Sequence, residues 1–135
     1  MSDTLFALLG FAGWALALLV LMELVRSFLV VTRQVPANRF DPSNASLSPF
    51  MQRLARAHAN CIEGLPIFGA ILIVAVLTGK ANVTDALAYP FLVARIVQSC
   101  IHLVSTSAVA VILRFSAFTV QMAIAAYWVV RLYAA

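Results

Sequence analysis

The chain has 135 residues, of which 64% are hydrophobic and only 10% charged. A soluble domain carries roughly 25% charged residues, so this sequence cannot coat a water-facing surface, and lipid is its main solvent. The net charge is +4, but Arg26, Arg33, Arg39, Arg53 and Arg56 lie in or beside one loop and flank apolar runs. That is the pattern of a topology signal. A nucleic-acid surface would spread its basic residues and place aromatics among them, so no nucleic-acid partner is expected. Cys61 and Cys100 stand inside apolar segments without metal-site spacing. Both read as buried free thiols, and neither a disulfide framework nor a metal centre is expected.

The first apolar run extends from about Leu5 to Val31, with Asp3 or Thr4 to cap its start. It is long enough to cross about 30 Å of hydrocarbon. Its N-terminal flank is acidic, so the run reads as a retained membrane helix and not a signal peptide. Glu23 and Arg26, three apart, share one face and offer each other a partner. From Arg33 to Pro49 the chain turns polar, with prolines, asparagines and serines. Ser48-Pro49 opens a second helix that ends near Thr78-Gly79, and Pro66 within it predicts a kink. Lys80 to Thr84 reads as a turn. A third helix carries Pro90, Arg95, Gln98 and His102, and a fourth ends in Tyr127, Trp128 and Tyr133, which suit a membrane-interface belt.

The expectation is an all-α membrane protein, a single four-transmembrane-helix bundle with helices at about 4–31, 49–79, 84–106 and 111–133. The 33–56 segment holds four arginines against Asp41 alone. The positive-inside rule then places the first loop in the cytoplasm and both termini on the other side.

Ionisable groups inside membrane helices are costly and need partners. Arg56, Asn60 and Glu63 share one face of helix two, and Arg95, Gln98 and His102 share one face of helix three beside Ser99. Glu63 and Arg95 are expected to pair. One reading of the two stripes is a clasp that fixes helix register; the other is a polar binding site near one membrane face. His58 points away from Asn60, since two residues are about 200° apart on a helix, and reads as an interface or capping histidine. A proton-coupled transporter built on Glu23 is a further alternative, weakened by Arg26 one turn on.

The segment Arg56-Ala-His-Ala-Asn-Cys-Ile-Glu63-Gly-Leu-Pro66-Ile-Phe68 resembles the signature of the membrane-associated proteins in eicosanoid and glutathione metabolism, the MAPEG family, in a bacterial-type member. The resemblance extends over nearly the whole chain. It implies a homotrimer of four-helix subunits, sited here in a bacterial inner membrane, that binds glutathione between neighbouring protomers near the cytoplasmic side. On that resemblance Asn60 and Glu63 contact glutathione, Arg95 pairs with the glutamate, and Arg114 stabilises the glutathione thiolate. Arg33 matches a basic residue at the end of helix one, and Arg56, Gln98 and His102 complete the cosubstrate site. The implied activity is a metal-free glutathione transferase or peroxidase acting on small apolar electrophiles or hydroperoxides. A MAPEG-fold protein without catalysis is the alternative. The chain departs from several relatives in having Gln98 and His102 where these carry tyrosines, and in a stretch from Arg95 to Arg114 about one turn longer.

Overall fold

Backbone groups in hydrocarbon must pair within their own segment, and the four apolar runs do so as helices. A computed structural model describes residues 1–135. It contains α1 (Asp3–Val31), α2 (Pro49–Leu77), α3 (Ala81–Val104) and α4 (Ala108–Ala134), and no strand. Even α3, the shortest at 24 residues, reaches about 36 Å at ~1.5 Å per residue. All four helices are long and apolar enough to cross a membrane, and the protein is an integral membrane protein.

Serine begins three of the four helices. The Oγ atoms of Ser2, Ser48 and Ser107 accept from the amides of Leu5, Met51 and Ala110 at 3.2, 3.3 and 3.2 Å, each satisfying an orphan donor of a first turn. The cap of α1 is therefore Ser2, not Asp3 or Thr4. Thr4 is spent elsewhere: its amide and hydroxyl donate to Asp85 Oδ1 at 2.9 and 2.6 Å, which ties the start of α1 to the start of α3. The α2–α3 turn is shorter than expected. Gly79 takes φ +70°, a left-handed conformation that costs glycine little, so α3 starts at Ala81. Ser107 likewise starts α4 at Ala108, ahead of the expected Val111. Pro66 and Pro90 stand inside α2 and α3, and both helices continue through them.

The α1–α2 loop is organised by Arg26. Its Nε and Nη2 donate to Asn44 Oδ1 at 3.0 and 2.6 Å, and its Nη1 bridges to Glu23 at 2.9 Å. Asn44, buried at φ +55°, donates onward to the Met51 carbonyl at 2.8 Å. The loop is thus pinned to the start of α2.

Helix α3 is central, packing against α1, α2 and α4, while α1 and α4 do not meet. Each helix places one ring in a shared cluster: Phe91 of α3 lies 6.0 Å from Phe11, 4.9 Å from Phe68 and 5.2 Å from Trp128. Trp128 is fully buried there, so it does not join the interface belt, whereas Tyr127 and Tyr133 are exposed. Cys61 is buried, but Cys100 is on the surface. Polarity is inverted relative to a soluble domain. Leu24, Phe28, Ile67 and Phe115 are exposed, while Arg95, Gln98, Ser99, His102 and Gln121 are buried.

Candidate functional site

Helix spacing delivers the two polar stripes to a common space, and the bundle divides it. A cavity of about 350 Å³ opens between α2, α3 and α4, lined by Asn60, Glu63, Gly64, Ile67, Phe68, Arg95, Gln98 and Phe118. Arg95 occupies its inner wall. It is 1% exposed, and its guanidinium carbon lies 4.9, 5.8 and 6.0 Å from the rings of Phe11, Phe68 and Phe118. Such cation–π contacts offset part of the desolvation of a buried charge. Its Nη1 donates to the Asn60 carbonyl at 3.4 Å, a long bond, and its Nε and Nη2 have no partner.

The expected Glu63–Arg95 ion pair is not formed. The chain's single ion pair is Glu23–Arg26, and Glu63 is exposed on the same cavity. The reason is local. Gly64 has no side chain, and a Cβ there would come within 2.9 Å of Arg95 Nη2. The guanidinium lies in that notch and against the phenylalanine rings, not out towards the carboxylate.

Gln98 and His102 are buried, each joined to a neighbouring helix. Gln98 Oε1 accepts from Gln121 Nε2 at 2.8 Å. Asn60 Nδ2 meets His102 Nδ1 at 3.3 Å, and His102 Nε2 is unpartnered. An amide nitrogen only donates, so Nδ1 accepts and the ring proton sits on Nε2. Cys61 Sγ lies 3.5 Å from Ser99 Oγ.

Other expected site residues lie apart. Arg56 faces a second polar basin of about 370 Å³ with Arg53, Gln52, Ser43 and Thr106. Arg33 follows α1 at φ +58°, exposed, and lines neither space. Arg114 lies on the second turn of α4, because α4 starts at Ala108. There it stands one turn before Phe118, with its Nε buried and unpartnered. His58 faces a separate space with Glu23 and Arg26 under the α1–α2 loop, on the side away from Asn60.

Sequence reasoning missed Gly64, Phe118 and Gln121. Gln121 carried a usable signal: a lone amide inside an apolar span needs a partner, and it lies seven residues, two turns, after Arg114. Gly64 and Phe118 carried none, because their roles depend on where Arg95 comes to rest.

No curated protein and no solved structure matches the chain significantly. A model of the MAPEG family matches residues 7–134, which takes in every residue lining the cavity, and the chain therefore belongs to the MAPEG family.

Proposed function

We propose that the protein is a glutathione-dependent membrane transferase or peroxidase acting on apolar electrophiles or hydroperoxides, and that the α2–α3–α4 cavity is its thiol site. The observation that carries this reading is Arg95: a guanidinium 1% exposed, with two unpaired nitrogens, on a cavity that also holds the Glu63 carboxylate. An unpaired charge inside a membrane bundle is costly unless something completes it. Glutathione brings carboxylates suited to a guanidinium and an ammonium suited to a carboxylate. Asn60 and Gln98 supply hydrogen-bonding groups on the cavity wall, and His102 lies outside the lining, joined to Asn60. Arg56 and Arg33, from the loop side, draw the anionic peptide in.

The thiol of glutathione resembles that of cysteine, with a pKa of about 8.5. Arg114 favours the thiolate electrostatically without competing for the proton, since a guanidinium stays charged. In transfer, the thiolate forms a carbon–sulfur bond as the leaving group departs with its electron pair. In peroxide reduction, it attacks the outer oxygen, the O–O bond breaks, and an alcohol leaves. A second glutathione then converts the sulfenic acid to a disulfide and water.

The assembly proposed is a homotrimer in a bacterial inner membrane with the α1–α2 loop in the cytoplasm. The position of Arg33 and Arg114 outside the cavity lining supports contributions from a neighbouring chain. A non-catalytic binding role is the second reading, favoured by Gln98 being engaged with Gln121. The Glu23–Arg26 bridge speaks against a proton-coupled transporter.

Glutathione titrated into the purified protein should develop ultraviolet thiolate absorbance near neutral pH. Binding heat without that absorbance would favour the non-catalytic role. No binding at saturating glutathione would overturn the reading.

A further inference from the structure

Gln121 stands in the middle of α4, wholly buried in a span whose solvent is lipid. Its Nε2 donates to two acceptors: the Ala117 carbonyl one turn back at 3.1 Å, and Gln98 Oε1 on α3 at 2.8 Å. Its own Oε1 is buried without a partner. A leucine or methionine would fill the same place without an orphaned oxygen, whose burial is a cost. Packing alone therefore does not account for an amide here.

The contacts fix which way both amides point. A backbone carbonyl only accepts, so the atom of Gln121 beside Ala117 is the nitrogen and not the oxygen. The second N–H of that nitrogen needs an acceptor, so Gln98 turns its Oε1 towards α4. Nε2 of Gln98 is then the end left for the cavity that Gln98 lines, and it makes no bond within the chain. Arg95 stands three residues earlier on the same face of α3 and lines the same cavity with two unpaired nitrogens. The two side chains thus present only donors, a guanidinium and an amide N–H beside it. A carboxylate has two oxygens and can take a bond from each. A Gln98 turned the other way would set its own oxygen against that carboxylate.

From this arrangement we infer that Gln121 is a positioning residue: held by the Ala117 carbonyl, it orients Gln98 so that Gln98 Nε2 donates, beside Arg95, to a carboxylate of the bound thiol peptide. The inference rests on the thiol reading of the cavity and adds to it a residue outside the lining. Without Gln121, Gln98 Oε1 loses its donor and competes for the cavity side.

The test is a double-mutant cycle on glutathione affinity, by calorimetric titration of the full chain in its assembled form. Gln98→Met should weaken binding about tenfold, as expected for one hydrogen bond to a charged group. Gln121→Met should weaken it about fivefold, because the freed amide of Gln98 still donates part of the time, and Gln121→Leu should match it. In the Gln98→Met background, Gln121→Met should have no further effect. Thiolate absorbance per bound glutathione should stay unchanged in every variant, since the oriented amide holds a carboxylate and not the sulfur. A loss below about twofold in Gln121→Met, or the same factor in both backgrounds, would overturn the role of Gln121 and leave the thiol reading intact. A fall in thiolate absorbance at equal occupancy would overturn the carboxylate assignment. No glutathione binding by the wild type would overturn the thiol reading, and this inference with it.

Discussion

Replacing Gly64 with alanine puts a methyl group 2.9 Å from Arg95 Nη2 and 3.1 Å from the Phe68 ring. The guanidinium cannot retreat freely, because Phe11 and Phe118 flank it at 4.9 and 6.0 Å. Overpacking of this kind costs about 1–3 kcal/mol, while alanine returns up to ~1 kcal/mol of helix propensity. With a return of roughly 0.5–1 kcal/mol, net destabilisation should therefore be modest, at most about 2.5 kcal/mol by these two terms. The larger effect falls on the cavity. A charge-assisted hydrogen bond contributes about 1.5–3 kcal/mol, so misplacing the fork should weaken glutathione at least tenfold, about 1.4 kcal/mol. Gly13→Ala is the control, since nothing lies within 4 Å of a Cβ there. Calorimetric titration of both variants, checked for assembly, makes the comparison. Gly64→Ala that binds glutathione within about twofold of wild type, less than half a kcal/mol, would refute the claim that the notch sets the position of Arg95.

Arg95→Met should leave the ligand-free protein as stable or more stable, by up to about 4 kcal/mol, because it removes a buried charge that has no ionic partner; it should at the same time abolish glutathione binding. Glu63→Gln should change ligand-free stability by no more than ~0.5 kcal/mol, as for other exposed positions, and a large coupling to Arg95 in a double-mutant cycle would contradict the absence of their ion pair. In the loop, the hydroxyl and then the amide of Ser43 hold the Asp41 carboxyl below its ordinary value of 3.8. A lowered pKa stabilises the loop above the unfolded value, and that contribution is lost as pH falls through the lower folded one. Limited proteolysis of the loop should therefore accelerate only below about pH 3.8, and Ser43→Ala should make that acid-dependent acceleration smaller.

The four helices were legible because lipid forces apolar runs into helices and leaves little choice of state. Ser48-Pro49 marked the start of α2 through a local cap, and Arg26 announced its partner because Glu23 lies three residues away. The boundaries that slipped were set by single residues: Gly79 shortened one turn, and Ser107 started α4 early enough to carry Arg114 onto its second turn. The polar stripes were visible as helix periodicity, and their convergence on one cavity follows from α3 packing against both α2 and α4. Pairing was not legible. Whether Arg95 turns to Glu63 or to the phenylalanines depends on rotamers and on the missing side chain at Gly64, which charge patterns do not encode. The assignment of Arg56 to the basin was hidden for a related reason, since one helix face runs past two different neighbours along its length.

Arg114 separates binding from activation. Its position one turn before Phe118 puts a charge beside the cavity but outside its lining, and its Nε is buried without a partner. Arg95 is inside, so the two arginines should affect different quantities. A thiol of pKa about 8.5 is roughly one-tenth thiolate at pH 7.5, and lowering that pKa by one unit, about 1.4 kcal/mol, makes it about half thiolate. Arg114→Leu should thus cut the thiolate signal about fivefold at saturating glutathione. Its affinity should fall much less than in Arg95→Met, because the peptide's carboxylates still find the fork of Arg95. Arg114→Lys keeps the charge on a flexible stem and should retain an intermediate signal. Signal and affinity must be read on the same assembled preparation, since loss of assembly would lower both together. If Arg114→Leu and wild type give equal thiolate absorbance at equal occupancy, Arg114 is only a charge near a helix end, and activation of the thiol falls to Arg95 or to a group from another chain.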